Sequence, residues 1–170
     1  MSQRSATHRF VRYWWVWAIG ALVAWAITAA AGKGFAIIEL ELAGSAAKAD
    51  EVMRGADVDA VRATILWDFL FLALYAPTLF FGSLWAREQF RSPLQQKVGL
   101  AAAAGGLVAG LLDVIENLAM LGYLNDWGGL SDWMPLAAVM AIPKFAFVVF
   151  AIAYIVAGAV FAVRRRLVDG

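Results

Sequence analysis

The chain has 170 residues, 63% hydrophobic and only 16% charged, with a net charge of +1. Soluble domains average about 45–50% apolar and about 25% charged residues, so this balance argues against a disordered chain and an ordinary soluble enzyme. The near-neutral charge offers no field for nucleic acid, no cysteine is present for disulfide, thiol or iron–sulfur chemistry, and a lone histidine, His8, argues against zinc or haem.

A membrane-spanning helix needs about 20 mostly apolar residues. The first such stretch is residues 13–31. It follows Arg4, Arg9 and Arg12 and ends in Ala29-Ala30-Ala31, which has the look of a cleavage site. Its apolar core is long for a secretory signal and begins with Trp14, Trp15 and Trp17, so a retained span is expected.

Residues 32–62 form the one long connection. Gly32 and Gly34 end the first helix. Beyond them Ile38, Leu42, Ser45, Ala49, Val52, Met53 and Ala56 follow helical spacing, while Lys48, Asp50, Glu51, Arg54 and Asp57 fall off that stripe. This predicts an amphipathic helix over about residues 36–57, lying at the outer end of the bundle.

Three more spans follow, at residues 63–86, 98–124 and 134–163. All exceed the minimum length, so tilt or emergence from the bilayer is expected. The prediction is an all-α, four-helix transmembrane bundle forming one integral membrane domain over residues 1–170.

Basic residues set the expected orientation. Arg4, Arg9, Arg12, Arg87, Arg91, Lys97, Arg164, Arg165 and Arg166 lie on one side; Lys33, Lys48, Arg54 and Arg62 lie on the other. The positive-inside rule places both termini in the cytoplasm. Tryptophans agree, with Trp85 near the inner interface and Trp67, Trp127 and Trp133 near the outer one. Trp25 falls inside the first span and needs packing or lipid contact to explain it.

Four ionisable residues lie within the spans: Asp68, Asp113, Glu116 and Lys144. Such residues are costly and usually functional. At 1.5 Å per residue, Asp68 lies roughly 8 Å, Glu116 roughly 12 Å, and Asp113 and Lys144 roughly 15 Å from the outer end of their spans. All four can meet in the outer half of the bundle.

Helix faces support that meeting. Asp113, Glu116 and Asn117 share a face with Ala102, Gly106, Ala109 and Gly110, and small residues mark close helix approach. Lys144 shares a face with Ala137, Ala141, Ala151, Gly158 and Ala162. Asp68 lines up with Leu72, Tyr75 and Leu79, which puts the Tyr75 phenol two turns away. Pro77 and Pro143 loosen the local backbone ladder. Glu39 and Glu41 flank the apolar stripe of the connecting helix, and either can reach down onto the cluster.

The run Glu41-Leu42-Ala43-Gly44-Ser45, then Trp67-Asp68-Phe69-Leu70-Phe71 with Tyr75, then Ala109-Gly110-Leu111-Leu112-Asp113-Val114-Ile115-Glu116-Asn117 resembles a set of uncharacterised bacterial four-span membrane proteins. The resemblance covers roughly positions 36 to 121. It implies that Glu41, Asp68, Asp113, Glu116 and Asn117 belong to a shared pattern, and so favours Glu41 over Glu39. No catalytic role comes with it. The expected location is a bacterial inner membrane.

An excess of acid over base in low dielectric must take up protons or bind a cation. The leading expectation is therefore an outer-facing intramembrane acidic cavity for binding or transport of a cation, a proton, or a cationic or lipid head group. Asp113 and Glu116 would be primary ligands, Asp68 and Glu41 would close the outer side, and Asn117, Tyr75 and Lys144 would support them. Oxygen ligands suit a hard divalent or monovalent cation such as calcium, magnesium, manganese or sodium.

An accessory subunit of a membrane complex, its polar cluster a buried salt-bridge network, is the alternative expectation. An intramembrane lipid-modifying enzyme is the third, weakened because the spans hold no His or Cys and offer only Ser45, Ser83, Thr28, Thr64 and Thr78 as nearby hydroxyls. The expected partners are the lipid bilayer and a homo-oligomer or larger membrane complex, without nucleic acid.

Overall fold

The computed structural model describes residues 11–128 and 132–169. Arg4, His8 and Arg9 of the sequence argument lie outside them. Helices α1 (Trp14–Ala31), α2 (Ile37–Glu41), α3 (Ala46–Val52), α4 (Val58–Arg87), α5 (Pro93–Leu124) and α6 (Met134–Asp169) follow in chain order. Among the described residues α1, α4, α5 and α6 are long and apolar enough to cross a membrane, and this is a multi-pass membrane protein. The helices outrun the apolar spans at several ends: α4 begins at Val58 and α5 at Pro93.

Local chemistry sets these starts. Asp57 caps α4, accepting from the backbone N–H groups of Asp59 and Ala60 at 3.1 and 3.2 Å. The Lys33 ammonium, 2.8 Å away, holds the exposed Asp57 carboxyl below its usual range. Pro93 opens α5, where a missing N–H costs nothing. Asp132 serves two chain segments. One oxygen accepts from the N–H of Met134 at the start of α6, and the other accepts from the N–H of Ala46 at the start of α3.

The long helices pack through small residues. A Cβ on Gly106 would lie 2.7 Å from the Leu79 Cβ, and one on Gly110 would lie 2.7 Å from the Ala76 Cβ. Helices α4 and α5 are therefore in near-backbone contact along that stretch. Gly158 brings α6 just as close to Ala86 of α4. Helix α1 differs, for it packs almost wholly against α4. Most of its surface, including Leu22, Val23 and Trp25, stays exposed.

The connection does not form the single helix expected over residues 36–57. It breaks into α2 and α3 at Gly44, whose φ of +69° is a conformation L side chains rarely adopt. Ser45 then caps α3 with its hydroxyl oxygen. The break changes which residues point inward. Leu40, Glu41, Ala43 and Ala49 are buried, whereas Ile38 and Leu42 are exposed. Lys48, Asp50, Glu51, Arg54 and Asp57 are exposed as the stripe predicts. Leu40 and Ala49 join Val61, Ile65, Met120 and Met134 in a core cluster, so α2 and α3 cap one end of the bundle.

Candidate functional site

The site lies beneath that cap. Close contact at Gly110 and Ala76 sets the register of α5 against α4. One residue before Ala76, Tyr75 donates its hydroxyl to Asp113 Oδ2 at 2.7 Å. One turn toward the cap, Asn117 donates from its side-chain amide to Asp68 Oδ2, also at 2.7 Å. Tyr75 shares a helix face with Asp68, but its hydroxyl reaches across to Asp113 on α5.

Lys144 enters from α6. Its ammonium donates to Glu116 Oε1 at 2.7 Å, Asp113 Oδ1 at 3.1 Å and Glu41 Oε2 at 3.4 Å. The Phe145 ring lies 4.6 Å from the same nitrogen. Glu41, Asp113, Glu116 and Lys144 are all buried. Glu39 is exposed, so the choice between the two glutamates falls to Glu41. Every residue in the expected cluster is brought together: Glu41, Asp68, Tyr75, Asp113, Glu116, Asn117 and Lys144.

Acids outnumber bases in the cluster. It holds four carboxyls and a single ammonium, a formal charge of −3 when all are ionised. Glu116 Oε2 is fully enclosed, and with every carboxyl ionised no donor reaches it among the described residues; a proton shared with Glu41 would supply one. Glu41 belongs to the cap rather than to a spanning helix. Burial pushes its carboxyl above its ordinary value of 4.5, with Lys144 pulling the other way. Folding therefore favours the protonated form of that carboxyl.

Beside the cluster lies a partly open cavity of about 610 Å³. Glu41, Asp68, Asp113 and Lys144 contribute to its wall, and so does Tyr75. The rest of the wall is mostly apolar and comes largely from α1, α4 and α6. Asp68 is half-buried, and its second oxygen has no hydrogen-bond partner among the described residues. The protein matches no known family, no curated protein and no solved structure.

The residue chemistry narrows what the site can hold. The Lys144 ammonium sits among three carboxyls, in the place a bound metal would take. Among the described residues no group of three or more acidic or histidine side chains is arranged to hold a metal ion. What remains available to a newcomer is the cavity-facing carboxyl surface of Asp68, with Asp113 and Glu41 behind it.

Two contributors escaped the sequence argument. Phe145 adjoins Lys144 in the chain, but its ring-to-ammonium contact has no sequence signature. Trp25 did leave a signal, as the tryptophan that fits neither interface. It lines the cavity.

Proposed function

We propose that this protein binds a cationic group or a proton in an intramembrane acidic cavity, as a binding or transport protein of a bacterial inner membrane. Both termini face the cytoplasm and the α2–α3 cap faces outward in this reading. The observation that carries it is the unbalanced charge: three carboxyls around one ammonium and a fourth, Asp68, beside them at the wall of a cavity. A cluster built only to fix helix register needs no excess acid. Lys144 acts as the resident counter-charge, and a bound cation or protons supply the remainder.

The competing reading is a structural network in an accessory subunit. Its support is the saturation of Lys144 by three carboxyls, which ties α2, α5 and α6 together. An enzyme has less support. Ser45 is engaged in capping α3, and Ser83 is buried away from the cluster's hydrogen bonds.

Stability against pH tests the proposal. A carboxyl raised by folding, as Glu41 is, stabilises the fold fully below the ordinary carboxylate range. That contribution is lost as pH rises through the folded value. The detergent-solubilised full chain is expected to melt at lower temperature at about pH 8 than at about pH 5, and Glu41→Gln should flatten the slope. Across sodium, calcium, magnesium, manganese and alkylammonium ions, a cation that restores stability at high pH supports binding. Its effect should disappear in Asp113→Asn and Glu116→Gln. A flat response to both pH and cations would favour the structural network.

A further inference from the structure

We infer that the cavity admits a single-chain cationic amphiphile sideways from the bilayer, between α1 and α6. This rests on the proposed reading of the acidic cluster and names its ligand class and route. Helix α1 packs almost wholly against α4, and its contact with α6 is confined to the neighbourhood of Gly82, where Trp14 and Ile155 approach, so a gap is left between α1 and α6 nearer the cap. The cavity fills that gap, with Ala18, Leu22 and Trp25 on one wall and Phe145, Val148 and Ile152 on the other. Leu22, Trp25 and Ile152 are also largely exposed. Both flanking helices cross the membrane, so the opening between them faces lipid.

Polarity along the cavity is uneven. Phe35, Ile37 and Ile38 close it at the cap, Asp68, Tyr75, Asp113 and Lys144 form a polar band below them, and Val148, Ile152, Leu79 and Ala18 continue a mostly apolar wall away from the cap. From Lys144 to Ile152 the apolar stretch runs roughly 12 Å at 1.5 Å per residue. A head at the acids and an alkyl tail along this stretch match that order.

Charge chooses the head. The Asp68 oxygen without a partner and the enclosed Glu116 Oε2, donorless when every carboxyl is ionised, both belong to a cluster short of positive charge. A primary ammonium supplies charge and hydrogen-bond donors together. A phosphate head is disfavoured, because the cluster's one cation, Lys144, is already engaged by three carboxyls. The volume also suits one chain of a compact ligand.

The test uses the full chain in neutral detergent at about pH 7.5, above the ordinary carboxylate range, so that an ammonium can displace any proton the buried cluster retains. Dodecylamine, butylamine, dodecanol, dodecanoate and phosphatidylethanolamine are added separately, and the melting temperature is read. Dodecylamine at saturation is expected to raise it by about 5 °C or more, with the other four giving little. Asp68→Asn should abolish the rise. Ile152→Trp and Leu22→Trp, both at exposed wall positions, should also abolish it while preserving the pH slope.

Equal effects of dodecylamine and dodecanol would overturn the inference, since charge would then not matter. Equal effects of dodecylamine and butylamine would overturn lateral entry while leaving the acidic site intact. A rise with phosphatidylethanolamine alone would overturn the single-chain assignment. No response to any amine, together with a flat pH profile, would remove both this inference and the proposed function beneath it.

Discussion

Lys144→Met is expected to destabilise the protein by about 3–5 kcal/mol at neutral pH, the usual consequence of removing one partner from a buried ion cluster. Interhelical hydrogen bonds in membranes average only about 0.6 kcal/mol, so a hydrogen-bond count alone would predict less. The larger figure follows from what stays behind. Glu41, Asp113 and Glu116 would remain buried within a short distance of one another with no counter-ion. Protonation limits the loss, so the penalty should shrink as pH falls. Unfolding by titration with a denaturing detergent, followed by tryptophan fluorescence, reads this directly. Adding Asp113→Asn and Glu116→Gln to Lys144→Met should recover much of the lost stability, because two of the three stranded carboxylates are then gone and Glu41 no longer faces like charge. Failure of that rescue would mean that Lys144 matters for packing rather than for charge.

The second large effect lies at the other end of the bundle, where α6 meets α4. A Cβ at Gly158 would stand 2.5 Å from the Ala86 Cβ and 2.8 Å from the Ala86 Cα. The latter is backbone, so no side-chain rotation relieves it. Gly158→Ala is expected to cost about 1–3 kcal/mol, and Gly158→Leu more, as the helices are forced apart. Gly128 is the control, since a Cβ there meets nothing within 4 Å. Gly128→Ala should change stability by no more than about 0.5 kcal/mol. The same detergent titration ranks the three variants.

Much of this architecture is legible in the residues themselves. Long apolar runs mark the spans because a bilayer leaves backbone polar groups no other partner than the helix's own. The acids were placed inward by company, Asp113, Glu116 and Asn117 sharing a face with Ala102, Gly106, Ala109 and Gly110, all of which are buried. Matching depth then let separate helices contribute to one site.

What was not legible depended on relations between elements. The stripe over residues 36–57 assumed unbroken helical phase, and one positive-φ glycine, Gly44, reset it. Tyr75 lay on the Asp68 face, yet register against α5 delivered its hydroxyl to Asp113. The gap between α1 and α6 is an absence of packing, which no local pattern encodes. Trp25 was its single trace, an aromatic at the wrong depth for an interface and at the right depth for a cavity wall.

Excess acid at this cavity is balanced, in the proposed function, by protons that a bound cation can replace. Titration calorimetry of dodecylamine into the full chain, repeated in buffers of different ionisation enthalpy, measures that exchange. The account predicts that about one proton is released per amine bound near pH 7.5, where four carboxyls share one ammonium, and that Asp68→Asn abolishes the release. Binding heats that are independent of the buffer, or a release that persists in Asp68→Asn, would contradict it.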